Sequence, residues 1–310
     1  AMVNMASCVR SLFDTFDFTE DMETKIVVAR TACNMLLCRQ VQARAVEEGA
    51  LEVIGNGAKL ADAEASLHCS MAALSAALVP KFRMRFVNSS LPAALTSVAL
   101  ESSDSNKIMF CVKALAVLAW TKESRSQLQT PLFASNIMKL AEKNSDEDIL
   151  VWIAQILYFI CFNYGDYAEL LELGMQTTLK KLSSVNNDTI AQCVAATIRC
   201  FCSDAYCVNI LAGTDTIAVM TSVLAADKTP NTLYHVSCAL YAFIEHSLEA
   251  RVRISSDETS SLINICGKDQ ECLEVLAAAL CILCSDTKCR AYFSDQNTCN
   301  LVVSMLEMNL

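Results

Sequence analysis

Followed as a pattern of apolar and polar positions, the chain repeats itself. A small-then-apolar step occurs at Ala32-Cys33, Ala73-Leu74, Ala114-Leu115, Ile156-Leu157, Thr197-Ile198, Ala239-Leu240 and Ala279-Leu280, at intervals of 41, 41, 42, 41, 42 and 40 residues. Each step sits in a run like Ser66 to Val79, with apolar or small residues at almost every third and fourth place, the spacing of a buried helix. Ahead of that run come a shorter amphipathic stretch, Leu51 to Leu60, and a segment from Val41 to Glu48 closed by Gly49. Polar loops precede the long runs: Ala61-Asp62-Ala63-Glu64, Ser102-Ser103-Asp104-Ser105, Asn144-Ser145-Asp146-Glu147-Asp148 and Val185-Asn186-Asn187-Asp188. Asp and Ser there suit N-caps. The unit is therefore a short helix, a bend, a second helix, a polar loop and a long apolar helix.

A period in the low forties predicts stacked repeats, each burying a face against the next. The expected fold is all-α, a right-handed α-solenoid of about seven three-helix units of 40–42 residues. The units end near 39, 79, 120, 163, 204, 246 and 286, followed by a partial C-terminal unit. Residues 1–20 are expected to be an end piece and 21–310 the repeat domain. Ala1 before Met2 reads as a tag remnant, and Met5 to Asp17 as a capping helix using Leu12, Phe13, Phe16 and nearby Phe18. Cys299 to Met308 reads as the second helix of an eighth unit. Its Leu301, Val302, Val303, Met305 and Leu306 then call for cover from a partner, a second copy through this end, or further sequence.

Composition narrows the picture. Hydrophobic residues make up 54% and charged ones 19%, ample for a continuous core, while seven glycines and four prolines are too few for a turn-rich β-protein. No apolar run reaches the roughly 18 uncharged residues of a membrane span. No basic region followed by a long apolar stretch opens the chain, so no secretory signal is expected, and Val3 stands where myristoylation needs glycine. A net charge of −10 argues against nucleic acid as the main ligand. The expected location is cytoplasmic. Seventeen cysteines recur in register: Cys161, Cys202 and Cys284 five after their anchors, Cys207 and Cys289 ten after, Cys69 and Cys193 four before. Such recurrence predicts free thiols filling small apolar slots.

Several pieces resemble a known repeat family. Glu48-Gly49-Ala50-Leu51-Glu52-Val53-Ile54 and Leu91-Pro92-Ala93-Ala94-Leu95 look like the armadillo junction into the second helix, and Ala114-Leu115-Ala116-Val117-Leu118-Ala119 looks like the third. The resemblance covers roughly residues 20 to 310 and implies that the third helices line a concave surface binding extended peptides, helices or whole domains. Nuclear-import receptors of this kind repeat Trp one before the anchor and Asn three after. Here the first position holds Thr31, Ala72, Lys113, Gln155, Ala196, Cys238 and Ala278, and the second Met35, Ala76, Val117, Phe159, Cys200, Ala242 and Ile282. Neither ladder exists. Catenin-type members carry rows of cations on these helices; this chain has only Lys113 and Arg199.

Catalytic signals are sparse. Of three histidines, His68 and His235 fall inside third helices, where satisfied interior imidazoles are expected, and His246 ends its helix. No metalloprotease, hydrolase, Walker or dinucleotide pattern occurs, so no enzyme and no cofactor are expected. Cys281, Cys284, Cys289 and Cys299 have zinc-like spacing, but two lie on an apolar helix and no glycine knuckle is present, which favours packed thiols over a metal. Glu147, Asp148 and Asp104 read as caps and solvated edges.

The aromatic residues point elsewhere. With the anchor and positions +1, +4 and +5 facing the core, positions −1, +2, +3 and +6 form an outer stripe. It carries Lys113, Trp120, Gln155, Tyr158, Phe159, Phe162, Arg199 and Tyr241, the candidate partner-binding set. The stripes are expected to run side by side, suiting a partner segment with apolar anchors and at least one carboxylate. The expected function is a non-enzymatic adaptor or scaffold that binds a protein along its groove. The alternatives are a chaperone-like or nucleotide-exchange cofactor clasping a folded ATPase or motor domain, and a self-assembling unit of cytoskeletal or trafficking machinery.

Overall fold

Seven long helices recur where the apolar register places them. They are Met22–Leu37, Ala63–Ala77, Ser105–Trp120, Glu147–Cys161, Asp188–Phe201, Pro230–His246 and Leu273–Ser285. The computed structural model describes residues 2–246, 248–293, 298–300 and 302–303, with side chains omitted for 2–7 and Tyr292. Between successive long helices lie two shorter ones, for example Gln42–Glu47 with Ala50–Ala58, Tyr167–Glu172 with Met175–Ser183, and Ala205–Ala212 with Thr216–Ala226. Among the described residues there are no strands.

Local chemistry sets the boundaries. The Asp62 carboxylate accepts from Ala65 N at 2.7 Å, Asp104 from Asn106 N at 2.9 Å, Asp146 from Asp148 N at 3.0 Å, and Asn187 from Ile190 N at 3.1 Å. Each satisfies amide donors that the first turn of a helix leaves orphaned. Asp146 is the cap of its helix, and Glu147 and Asp148 lie within the first turn rather than in the loop. Gly49 (φ 105°) and Gly174 (φ 97°) make the left-handed bend between first and second helices of their repeats.

The chain divides into two compact units, residues 1–160 and 161–310. In the first, the three helices Met22–Leu37, Ala63–Ala77 and Ser105–Trp120 pack in sequence, and so do the second helices Ala50–Ala58, Leu91–Glu101 and Pro131–Lys143. In the second, Asp188–Phe201, Pro230–His246 and Leu273–Ser285 pack in sequence, as do Met175–Ser183, Thr216–Ala226 and Asp257–Cys266. Every anchor is buried, from Ala32 to Ala279, and so is every residue four further on: Leu36, Ala77, Leu118, Ile160, Phe201, Phe243 and Leu283. Position +5 departs from expectation. Leu37 and Leu78 there are 51% and 57% exposed, whereas Cys161 and Ile244 are buried; five residues is 500° of helix, which sets this position 140° from the anchor, at the edge of the buried face. The N-terminal helix Met2–Phe18 buries Phe13 and Phe16 but leaves Phe18 86% exposed, so Phe18 adds nothing to the cap.

At the other end, Val302 and Val303 are exposed; Leu301, Met305 and Leu306 lie outside the described residues. No single helix among the described residues is long and apolar enough to cross a membrane. The one pair that passes jointly, Ala205–Ala212 with Thr216–Ala226, is bent by 85° and forms the first two helices of a repeat. All 17 cysteines are free thiols; nine are buried and four exposed, the latter being Cys8, Cys38, Cys281 and Cys299.

Candidate functional site

In the first unit the candidate residues sit on Ser105–Trp120 and Glu147–Cys161. Their anchors Ala114 and Ile156 are fully buried, and of the −1, +2, +3 and +6 positions Lys113, Val117, Trp120, Gln155, Tyr158 and Phe159 are half-buried or exposed, whereas Ala116 is buried with the core. Trp120 is 71% exposed, and its ring lies 6.3 Å from that of Phe159 at an interplanar angle of 11°. Phe159 in turn meets Tyr158 at 5.1 Å. Phe159, Tyr158 and Gln155 are half-buried, so the apolar area here is a shared platform with Trp120 as its open edge. The Lys113 ammonium lies 5.4 Å from the Trp152 ring centroid, and Lys113 forms no ion pair among the described residues.

The second unit holds Phe162, Arg199 and Tyr241. Phe162 and Arg199 are exposed, and Tyr241 is half-buried. The Arg199 guanidinium stands 4.9 Å from the Tyr234 ring centroid, and its Nη1 is 3.2 Å from His235 Nδ1. Arginine can only donate, so Nδ1 accepts and the imidazole is neutral with its proton on Nε2. Burial, and then the Arg199 charge, push the His235 pKa down to about 4. The Tyr241 hydroxyl donates to Glu245 Oε1 at 2.7 Å, an acceptor that stabilises the protonated phenol and raises its pKa. Arg199, like Lys113, has no carboxylate partner among the described residues, whereas Arg30 and Arg44 each have two and Arg251 and Arg253 each have one. Both cations are held in place by rings instead, which leaves their charge available.

Trp152, Tyr234 and His235 were missed by the outer-stripe assignment. They lie four or five residues before their anchors, one helical turn ahead of position −1, and so share the stripe. Extending the stripe by one turn would have found them.

His68 is half-buried, but its Nδ1 is buried with no hydrogen-bond partner, which corrects the expectation of a satisfied interior imidazole. His246 is exposed in the last turn of its helix. Cys281 and Cys299 are exposed, Cys284 is half-buried and Cys289 buried. Among the described residues no three His, Cys, Asp or Glu side chains are grouped to hold a metal ion. Burial raises the thiol pKa of Cys111 to about 11 and of Cys193 to about 12, the behaviour of packing groups.

No protein-family model matches the chain, and no curated protein matches it. Solved structures do. A computationally designed armadillo repeat protein for modular peptide recognition is 15% identical, with a TM-score of 0.59 over 76% of this chain and 99% of that one. An engineered protein is 17% identical, with a TM-score of 0.61 over 96% of this chain and 77% of its own. A designed armadillo repeat protein in complex with the peptide (KR)4 is 15% identical, with a TM-score of 0.51 over 88% and 98%. At these identities the likeness is one of fold, and the fold is the armadillo-like α-solenoid.

Proposed function

We propose that this chain is a non-enzymatic protein-binding scaffold, and that its partner lies on the outer stripe of the third helices. The observation that carries this is the pairing of exposed and half-buried aromatic area with cations that have no carboxylate partner among the described residues: Trp120, Phe159 and Tyr158 with Lys113 in one unit, Arg199 and Tyr241 in the other. Residues 21–310 act as the repeat domain, with 1–20 as its end piece. Designed proteins of this fold bind peptides, among them (KR)4. A lysine- and arginine-rich ligand does not suit Lys113 and Arg199. A segment with apolar anchors and at least one carboxylate does, the rings supplying burial and Lys113 or Arg199 the orientation.

Affinity purification from native cells with wild type and with Tyr158→Ala/Tyr241→Ala tests the assignment. At least one partner retained by wild type is expected to be depleted about thirtyfold by the double variant, the loss of a well-buried interface ring being worth about 2 kcal/mol. Circular dichroism of the double variant is expected to match wild type. Equal recovery of every partner, or a variant that unfolds, would mean that these rings serve the core and that the site lies elsewhere.

A further inference from the structure

Two contacts join the third helices Ser105–Trp120 and Glu147–Cys161 across their outer stripes. The Lys113 ammonium stands 5.4 Å from the Trp152 ring centroid, and the Trp120 and Phe159 rings lie 6.3 Å apart. Each contact joins residues 39 apart in the chain, so the two helices run side by side in the same direction and the contacts form two rungs. Along either helix the rungs are seven residues apart, which is about 10.5 Å and within about 20° of two full turns. Val117 and Gln155, both half-buried, lie between them. One rung offers a cation with no carboxylate partner among the described residues. The other offers an aromatic step whose outer edge, Trp120, is 71% exposed.

A single segment that meets both rungs needs two side chains about 10.5 Å apart on one face. In an α-helix, residues i and i+7 satisfy both conditions, with i+3 and i+4 between them. In a β-strand the residue at that distance is i+3, which points to the opposite face. A polyproline helix returns to one face at every third residue, but at about 9.3 Å, short of the second rung. We infer that this groove takes an α-helix laid alongside the two third helices, with a carboxylate and a large apolar side chain seven residues apart. The carboxylate meets Lys113, and the apolar side chain lies on Trp120 and Phe159. Between them, side chains at i+3 and i+4 face Val117 and Gln155. The existence of a partner rests on the proposed scaffold function; the helical form of the segment rests on the spacing of the rungs.

The chain has two tryptophans, Trp120 and Trp152, one on each rung, so fluorine NMR of the full chain labelled with fluorotryptophan reads this groove alone. The probe is an alanine-based helical peptide carrying one Glu and one Phe seven residues apart. It is expected to shift both signals saturably with a common midpoint. The same peptide with Glu and Phe five residues apart, on different faces, is expected to bind at least about tenfold more weakly. So is a version with proline at its centre, which cannot be helical there. Exchanging Glu for Gln in the probe is expected to weaken binding about threefold in wild type and not at all in Lys113→Met. No saturable shift of either signal would overturn the inference. So would equal binding of the five-residue spacing, or a proline-containing peptide that binds as tightly, which would mean an extended occupant. Failure here is distinct from failure of the Tyr158→Ala/Tyr241→Ala experiment, because the first reads the shape of the segment and the second the use of the stripe by a native partner.

Discussion

Gly57 shows how closely the third helices of the first repeats approach their second helix. A Cβ built there would lie 2.7 Å from Cys69 Sγ and 2.9 Å from Ala29 Cβ. Gly57→Ala is therefore an overpacking change, expected to cost about 1–3 kcal/mol in chemical denaturation; an unchanged midpoint would show that the helices part easily. His235 gives a second residue-scale expectation. In the folded chain it binds a proton only near pH 4, against 6.5 for an ordinary histidine. Between those values the unfolded chain holds more protons, so the stability tied to this group is full above pH 6.5 and falls as the pH drops towards 4. An NMR titration should place the His235 midpoint near 4. Arg199→Gln should raise it only in part, since burial is the larger cause. A wild-type midpoint near 6.5 would contradict the placement of the ring.

Among the helices, the recurring device is an arginine that closes the end of a third helix. Arg83 Nε donates to Ala77 O at 2.9 Å, Arg251 Nε to Ile244 O at 2.9 Å, and Arg290 Nε to Cys284 O at 2.8 Å. In each case a residue six or seven further along returns to satisfy a carbonyl that the last turn leaves orphaned. Arg251 also holds Asp286 at 3.1 Å, with both side chains largely buried. Arg251→Met should lower the melting temperature and uncouple both groups; a variant as stable as wild type would show that water serves the carbonyl equally well. None of this was legible in the sequence, where the arginines fall 10, 12 and 11 residues after their anchors and form no fixed spacing. The caps at Asp62, Asp104 and Asn187 were legible, because capping acts over two or three residues and leaves a local signal. Position +5 was legible only in part: it lies 140° from the anchor, at the edge of the buried face, where Cys161 and Ile244 are covered and Leu37 and Leu78 are not.

For the molecule as a whole, the fold could be read from one period, because seven buried anchors at 40–42-residue spacing leave few alternatives to stacked helical units. The candidate site was less legible. Exposure of Trp120 and Arg199 follows from the stripe, but the contacts that hold Lys113 and Arg199 come from Trp152, Tyr234 and His235 on the next repeat, and the sequence register alone does not say which turn faces which. The central claim is that the third-helix stripe, and not exposed apolar surface in general, binds the partner. Trp120 on a third helix and Leu132 on a second helix are matched for exposure, at 71% and 72%. The decisive measurement is the affinity of a purified partner for wild type, Trp120→Ala and Leu132→Ala side by side. Trp120→Ala should weaken binding about thirtyfold and Leu132→Ala by less than about twofold; equal losses, or a greater loss at Leu132, would contradict the account.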